Sequence, residues 1–175
     1  SSRSGQFVTL RDLRKEVGND AARFYYVMRK SEQHIDFDLD LAVSQSKDNA
    51  VYYIQYAHAR VNRMVDVRAP EKNIAFDRTQ LAHYDVSILV SNTETELLAK
   101  LAAYPEIVAR AANSYEPHQI GNYLKELAAL FHGWYAQDDV KILDEQNIAL
   151  SQARLVLSLN VQQVLKNGLT LLGVS

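Results

Sequence analysis

Between Asp48 and Asp66 the chain reads DNAVYYIQYAHARVNRMVD, and at helical spacing Tyr53, Tyr56, Arg60 and Arg63 fall on one side. Two phenol rings and two guanidinium groups on one face suit a single-stranded nucleic acid. Unstacked bases lie against aromatic rings while fork-shaped donors read their edges. The same face also suits a second reading, a helical interaction module whose aromatic stripe docks a protein partner or a second copy of itself. On the opposite side Val51, Ile54, His58, Val61 and Val65 recur at i, i+3, i+7, i+10 and i+14, a stripe that anchors the helix in a core. His58 lies on that stripe and is expected to be a hydrogen-bonded core histidine rather than a base.

A second group of chemically capable residues is HIDFDLD, with His34 ahead of Asp36, Asp38 and Asp40 at alternate positions. On an extended strand these would share one face and could collect a divalent cation. They lack the glycine and terminal glutamate of a calcium loop, so solvated edge carboxylates, with Asp38 or Asp40 capping the next helix, are the expected reading and no metal is assigned. No nucleophile motif, Walker loop, dinucleotide fingerprint or HExxH pair occurs. Cysteine is absent, which excludes disulfides, thiolate metal sites and a cysteine nucleophile.

The elements that position these groups are helical. Only three prolines and six glycines interrupt 175 residues, 47% of them apolar and 23% charged, a composition that builds a buried core. The net charge of −2 means that any contact with nucleic acid comes from a local patch and not from the chain as a whole. No run is apolar enough to span a membrane, and the simplest setting is cytoplasmic, with neither membrane nor DNA as a partner.

Gln6–Leu10 is short and β-prone, and Thr9 can then cap a helix through Lys15 that closes at Gly18. A helix from Asn19 or Asp20 through Arg29 follows. Asp48 or Asn49 caps the Tyr/Arg helix, and Val67 to Ser87, which contains Pro70, reads as a long connection with a short helix near Thr79 to His83. Asn92 or Thr93 starts the next helix, which Pro105 ends while opening another to about Asn113. Glu116 and Pro117 open a helix whose Ile120, Leu124, Leu127, Phe131 and Trp134 form a wide apolar face, with Tyr123 and Tyr135 on its flanks. From Asn147 about 25 residues to Leu172 form a helix apolar on two sides, which therefore lies between neighbours. The expected fold is mainly α, an antiparallel helical bundle with minimal strand near the N-terminus.

The runs VYYIQYAHAR, DAARFYYVMR, DFDLDLA and ARLVLSLNVQQVLKNGLTLLGV, in this setting with YPEIV and YLKELA, resemble the C-terminal part of arginyl-tRNA synthetases, including the helical DALR anticodon-binding module. The resemblance spans Ser1 to Ser175 and implies a division into the end of a catalytic core, residues 1–45, and an anticodon-binding bundle, residues 46–175. It implies that SSRSGQFVTL, with Ser1, Ser2 and Arg3, is a remnant of the class I signature loop, with Ser2 where the family has a lysine that contacts ATP. No complete catalytic site and no cofactor are then expected in this stretch, whereas the parent enzyme joins arginine to its tRNA with ATP and magnesium on a Rossmann catalytic domain. The helix start carries Ala50 where the family usually has proline. By the same resemblance Tyr56, Arg60 and Tyr135 line the pocket for the anticodon loop of tRNA-Arg; Tyr53 and Arg63 are added from the helical face alone.

Overall fold

In the computed structural model, residues 9–29, 40, 42, 44, 48–137 and 141–175 are described. Side-chain caps set most of the helix starts. Thr9 Oγ1 accepts from the Asp12 N–H and opens α1, Leu10–Val17, and Gly18, at φ 82°, turns the chain directly into α2, Asn19–Val27. Asn49 accepts from the Tyr52 N–H to open α3, Ala50–Arg63. Ser91 and Glu94 form a reciprocal capping box at the start of α4, Asn92–Ala102. Pro105 then sits in the first turn of α5, Tyr104–Ser114, where its missing N–H leaves no bond unmade. Helix α6 spans His118–Tyr135, and Asn147 caps α7, Ile148–Leu172, at the boundary expected from the apolar pattern.

The connection expected from Val67 begins later. The chain stays helical past Arg63 through a π turn, Met64–Arg68, and a last α turn, Ala69–Glu71. Pro70 explains the wide turn: it has no N–H for the Asp66 carbonyl and its ring crowds that position, so the Ala69 N–H reaches back five residues to Met64 O. Asn73, left-handed at φ 55°, ends the helix as Ile74 N–H returns to Ala69 O at 2.9 Å. The short helix near Thr79 is a single 3-10 turn, Leu81–His83. No strand occurs among the described residues; of the β-prone Gln6–Leu10, Leu10 starts α1, and residues 6–8 lie outside the described part.

Helices α6 and α7 form the central pair, α3 lies against both, α4 and α5 cover the other side of α6, and α2 closes the end beside α3. Ile54, Leu124, Leu127, Phe131, Trp134, Leu155 and Leu165 are fully buried in one cluster, and each such side chain contributes about 1.5–3 kcal/mol. Gly168 lets α7 approach α6 closely, since a Cβ there would lie 2.5 Å from Leu124 Cδ2. Four of the five stripe residues of α3, Val51, Ile54, Val61 and Val65, are buried as expected. His58 is not: it is half-buried, and Ala57 takes the interior place beside it. Among the described residues no helix is long and apolar enough to cross a membrane.

Candidate nucleic-acid interface

The outer face of α3 carries a ladder of flat groups. Tyr52 and Tyr56, one turn apart, hold their rings 6.1 Å apart and 6° from parallel. One turn on, the Arg60 guanidinium carbon lies 4.6 Å from the centre of the Tyr56 ring and 4.3 Å from that of Tyr135 on α6. The cation is thus held against two ring faces, each contact giving about 0.5–2 kcal/mol depending on desolvation. Arg60 Nη2 also donates to Tyr56 Oη at 3.1 Å, while Nη1 lies 2.8 Å from His132 Nδ1.

Elementary donor counting fixes the state of His132. Its Nε2 lies 3.1 Å from the Tyr53 carbonyl oxygen, which can only accept, so Nε2 carries the proton. Guanidinium can only donate, so Nδ1 is bare and accepts from Arg60. The imidazole is neutral, and its pKa is pushed below the usual histidine value, chiefly by burial and further by the Arg60 charge, against the opposing pull of the Tyr53 carbonyl. With 7% of its surface exposed, His132 sits behind the ladder rather than in it.

Beyond Tyr135 the surface opens into a groove of about 480 Å³ lined by Met64, Arg68, Lys72, Tyr135 and residues 141–146. The wall formed by 141–146 is tied to α7 from beneath. Arg154 Nε pairs with Glu94 Oε1 at 2.7 Å, with 1% of the glutamate side chain exposed, and Arg154 Nη1 donates to the Lys141 carbonyl at 2.7 Å. Burial alone would raise the Glu94 pKa, but the hydrogen bonds from Arg154 and from the Ser91 N–H and hydroxyl, with the Arg154 charge, outweigh it and hold the carboxyl below its usual range. Ser151 Oγ accepts from the Asp144 N–H at 2.8 Å and fixes the far end of the same wall. Lys72 is paired with Glu145 at 3.5 Å and Arg68 with Glu71 at 3.3 Å, so the rim is basic but partly compensated.

Of the residues expected from sequence, Tyr56, Arg60 and Tyr135 meet in one cluster. Tyr53 does not face outward; it is half-buried, its ring 4.3 Å from that of His132 and its carbonyl the acceptor described above. The physical reason is that α6 packs against α3 closely enough to cover one edge of the expected face. Arg63 is exposed one turn beyond Arg60 and joins no ion pair among the described residues. Ser1, Ser2, Arg3, His34, Asp36 and Asp38 lie outside the described residues, and Asp40 is exposed. Among the described residues no cluster of three or more His, Asp or Glu could hold a metal. His132 and Tyr52 were missed, although His132 and Tyr135 at i, i+3 and Tyr52 and Tyr56 at i, i+4 each place two flat groups on one helical side.

The family described as the DALR anticodon binding domain matches residues 54–175, a span that holds Tyr56, Arg60, His132, Tyr135 and the groove. The chain belongs to this family. This DALR chain is 72% identical over 175 residues to an arginine–tRNA ligase of Acinetobacter baylyi, covering all of this chain and 28% of that protein. It is 56% identical over 185 aligned positions to an arginine–tRNA ligase of Psychrobacter cryohalolentis, again over its whole length and 30% of the relative. The chain therefore spans less than a third of the curated relatives it matches. Its DALR bundle superposes on a Campylobacter jejuni protein assigned as an arginyl-tRNA synthetase with a TM-score of 0.81, and on Thermus thermophilus arginyl-tRNA synthetase with 0.71. Both are 26% identical to it, with 98% of this chain covered and 35% and 28% of those chains.

Proposed function

We propose that this chain is the C-terminal part of an arginine–tRNA ligase and that the α3–α6 ladder reads the anticodon loop of tRNA-Arg. The observation that carries the reading is the Arg60 guanidinium held over the rings of both Tyr56 and Tyr135, with two of its five N–H donors engaged and three left over. Tyr56 is 43% exposed, so the edge of its ring, between Tyr52 and Arg60 in the ladder, is open to solvent. A base unstacked from the loop would lie against a ring of the ladder, and Arg60 would donate to its edge from a position already fixed. The groove beyond Tyr135 would take a neighbouring base, with Arg68, Lys72 and Lys141 near the phosphates. Arg63, exposed on the same face, would add a phosphate contact.

Arginine attachment itself, with ATP and magnesium, belongs in this reading to a Rossmann catalytic domain elsewhere in the parent chain, in the cytoplasm; residues 1–45 would close that core and 46–175 would form the reader. Support comes from the identity to arginine–tRNA ligases along the whole chain. The test is binding of the 175-residue chain to a tRNA-Arg transcript, with Tyr56→Ala expected to lose about 1–3 kcal/mol if a base stacks there. Unchanged binding by both Tyr56→Ala and Tyr135→Ala would overturn the assignment of the surface.

A further inference from the structure

Arg60 can read a base only if something holds it, and its own helix does not suffice. An arginine side chain carries about 2 kcal/mol of rotamer entropy, and its i, i+4 bond to Tyr56 leaves it free to swing with that ring. Tyr135 offers a ring from α6, but the hydrogen bond that ties Arg60 to that helix is to His132, which is almost fully buried and is itself fixed by the Tyr53 carbonyl. The chain of contacts runs from the α3 backbone at Tyr53, through the imidazole on α6, and back to Arg60 on α3.

We infer that His132 is a positioning residue for RNA recognition: as the neutral Nε2–H tautomer it presents a bare Nδ1 that locks the Arg60 guanidinium between Tyr56 and Tyr135 in the orientation that meets a base. This inference rests on the anticodon-reading proposal and adds to it a dependence on proton occupancy with a distinctive sign. Facing the ring are Tyr53, Tyr56 and the Arg60 guanidinium from α3, with Phe131 beside it on α6. Protonation would place an N–H on Nδ1 against the N–H of Nη1 and a second positive charge beside the first, so the lock opens and Arg60 leaves its slot. A histidine that acted merely as one more cation near RNA would strengthen binding as pH falls. A positioning histidine weakens it.

The experiment measures affinity of the 175-residue chain for a tRNA-Arg transcript from about pH 8 to about pH 5, bracketing the ordinary histidine range, with circular dichroism recorded at each point to follow the fold. Wild-type affinity is expected to fall toward acid. His132→Asn, whose amide oxygen can stand in for Nδ1, is expected to keep most of the neutral-pH affinity and to lose the acid dependence. His132→Phe is expected to bind roughly 10-fold more weakly at neutral pH, the size expected for a lost bond to a charged donor. Should His132→Phe misfold, the wild-type pH profile and the asparagine variant still decide. In parallel, nitrogen-15 spectra of the imidazole at neutral pH should show a protonated Nε2 and a bare Nδ1. Affinity that rises or stays level toward acid, or equal binding by His132→Phe and wild type, overturns the inference. If Tyr56→Ala and Tyr135→Ala weaken binding while His132 variants do not, the positioning role alone fails; if none of them does, the anticodon-reading proposal fails with it.

Discussion

Replacing Arg60 by lysine separates base reading from charge, because it keeps the cation and removes the planar fork. In the structure the guanidinium makes two hydrogen bonds, 2.8 Å to His132 and 3.1 Å to Tyr56, and lies against two rings at 4.6 and 4.3 Å. A lysine ammonium can reach one of these partners but cannot lie flat between two rings, nor offer paired donors to a base. A bond from a charged donor is worth about 1.5–3 kcal/mol and each ring contact about 0.5–2 kcal/mol. Allowing for what lysine recovers, Arg60→Lys should weaken tRNA-Arg binding by about 1.5–3 kcal/mol, roughly 10- to 100-fold. The formal charge is unchanged, so the slope of log affinity against log salt should not move. Arg63→Ala supplies the contrast: a modest loss of affinity and a slope shallower by about 0.7 if it meets one single-stranded phosphate. Fluorescence anisotropy over a salt series measures both quantities, and thermal melts establish that the variants fold. Binding by Arg60→Lys within about twofold of wild type, which is about 0.4 kcal/mol, would refute the role given to the fork. A shallower slope for Arg60→Lys would instead mark Arg60 as a phosphate contact.

Three further outcomes concern the scaffold. Glu94→Gln leaves the Arg154 guanidinium, 11% exposed, without its buried counterion; urea denaturation should show a loss of about 3–5 kcal/mol, and the Lys141 wall of the groove should exchange its amides faster. Gly168→Ala gains helix propensity but drives a Cβ to 2.5 Å from Leu124 Cδ2 and 2.9 Å from Cδ1 in a fully packed site, so a net destabilisation of about 1–3 kcal/mol is expected in the same assay. Stability should decline as pH falls below the ordinary histidine value of 6.5. The folded His132 pKa is lowered, so the unfolded chain takes up the proton first. Glu94, also lowered when folded, extends the decline at more acid pH, as the stability that it supplies above its unfolded value of 4.5 is lost on protonation. A stability profile that is flat from neutrality to about pH 5 would contradict the burial and neutrality of His132.

Much of the architecture was legible because it depends on local chemistry. The two-sided apolar pattern of α7 and its Asn147 cap placed that helix at its observed ends, and the Val51, Ile54, Val61 and Val65 stripe pointed α3 inward correctly. Periodicity failed where a neighbouring helix intervened. It set Tyr53 outward although α6 covers it, and it set His58 in the core although the ring stops half-way. Pro70 reads locally as a breaker, yet the chain absorbs it with a π turn, because the buried Met64, Val65 and Ala69 hold the helix to the core on both sides of the strain. The pairing of His132 with Arg60 and that of Glu94 with Arg154 were out of reach for the same reason: the partners are 72 and 60 positions apart, and no spacing rule connects residues that meet only after the bundle closes. The quoted runs carried the family resemblance that periodicity alone could not, and they did so through whole motifs rather than through any single tyrosine or arginine.

An anticodon reader must distinguish bases and not merely attract phosphate. Competition for the 175-residue chain between a tRNA-Arg transcript and the same transcript with its anticodon bases exchanged tests it most directly, because charge, length and stem are held constant. The exchanged transcript is expected to bind more weakly at every salt concentration, with a difference that disappears in Tyr56→Ala. Equal affinity for the two transcripts would contradict it.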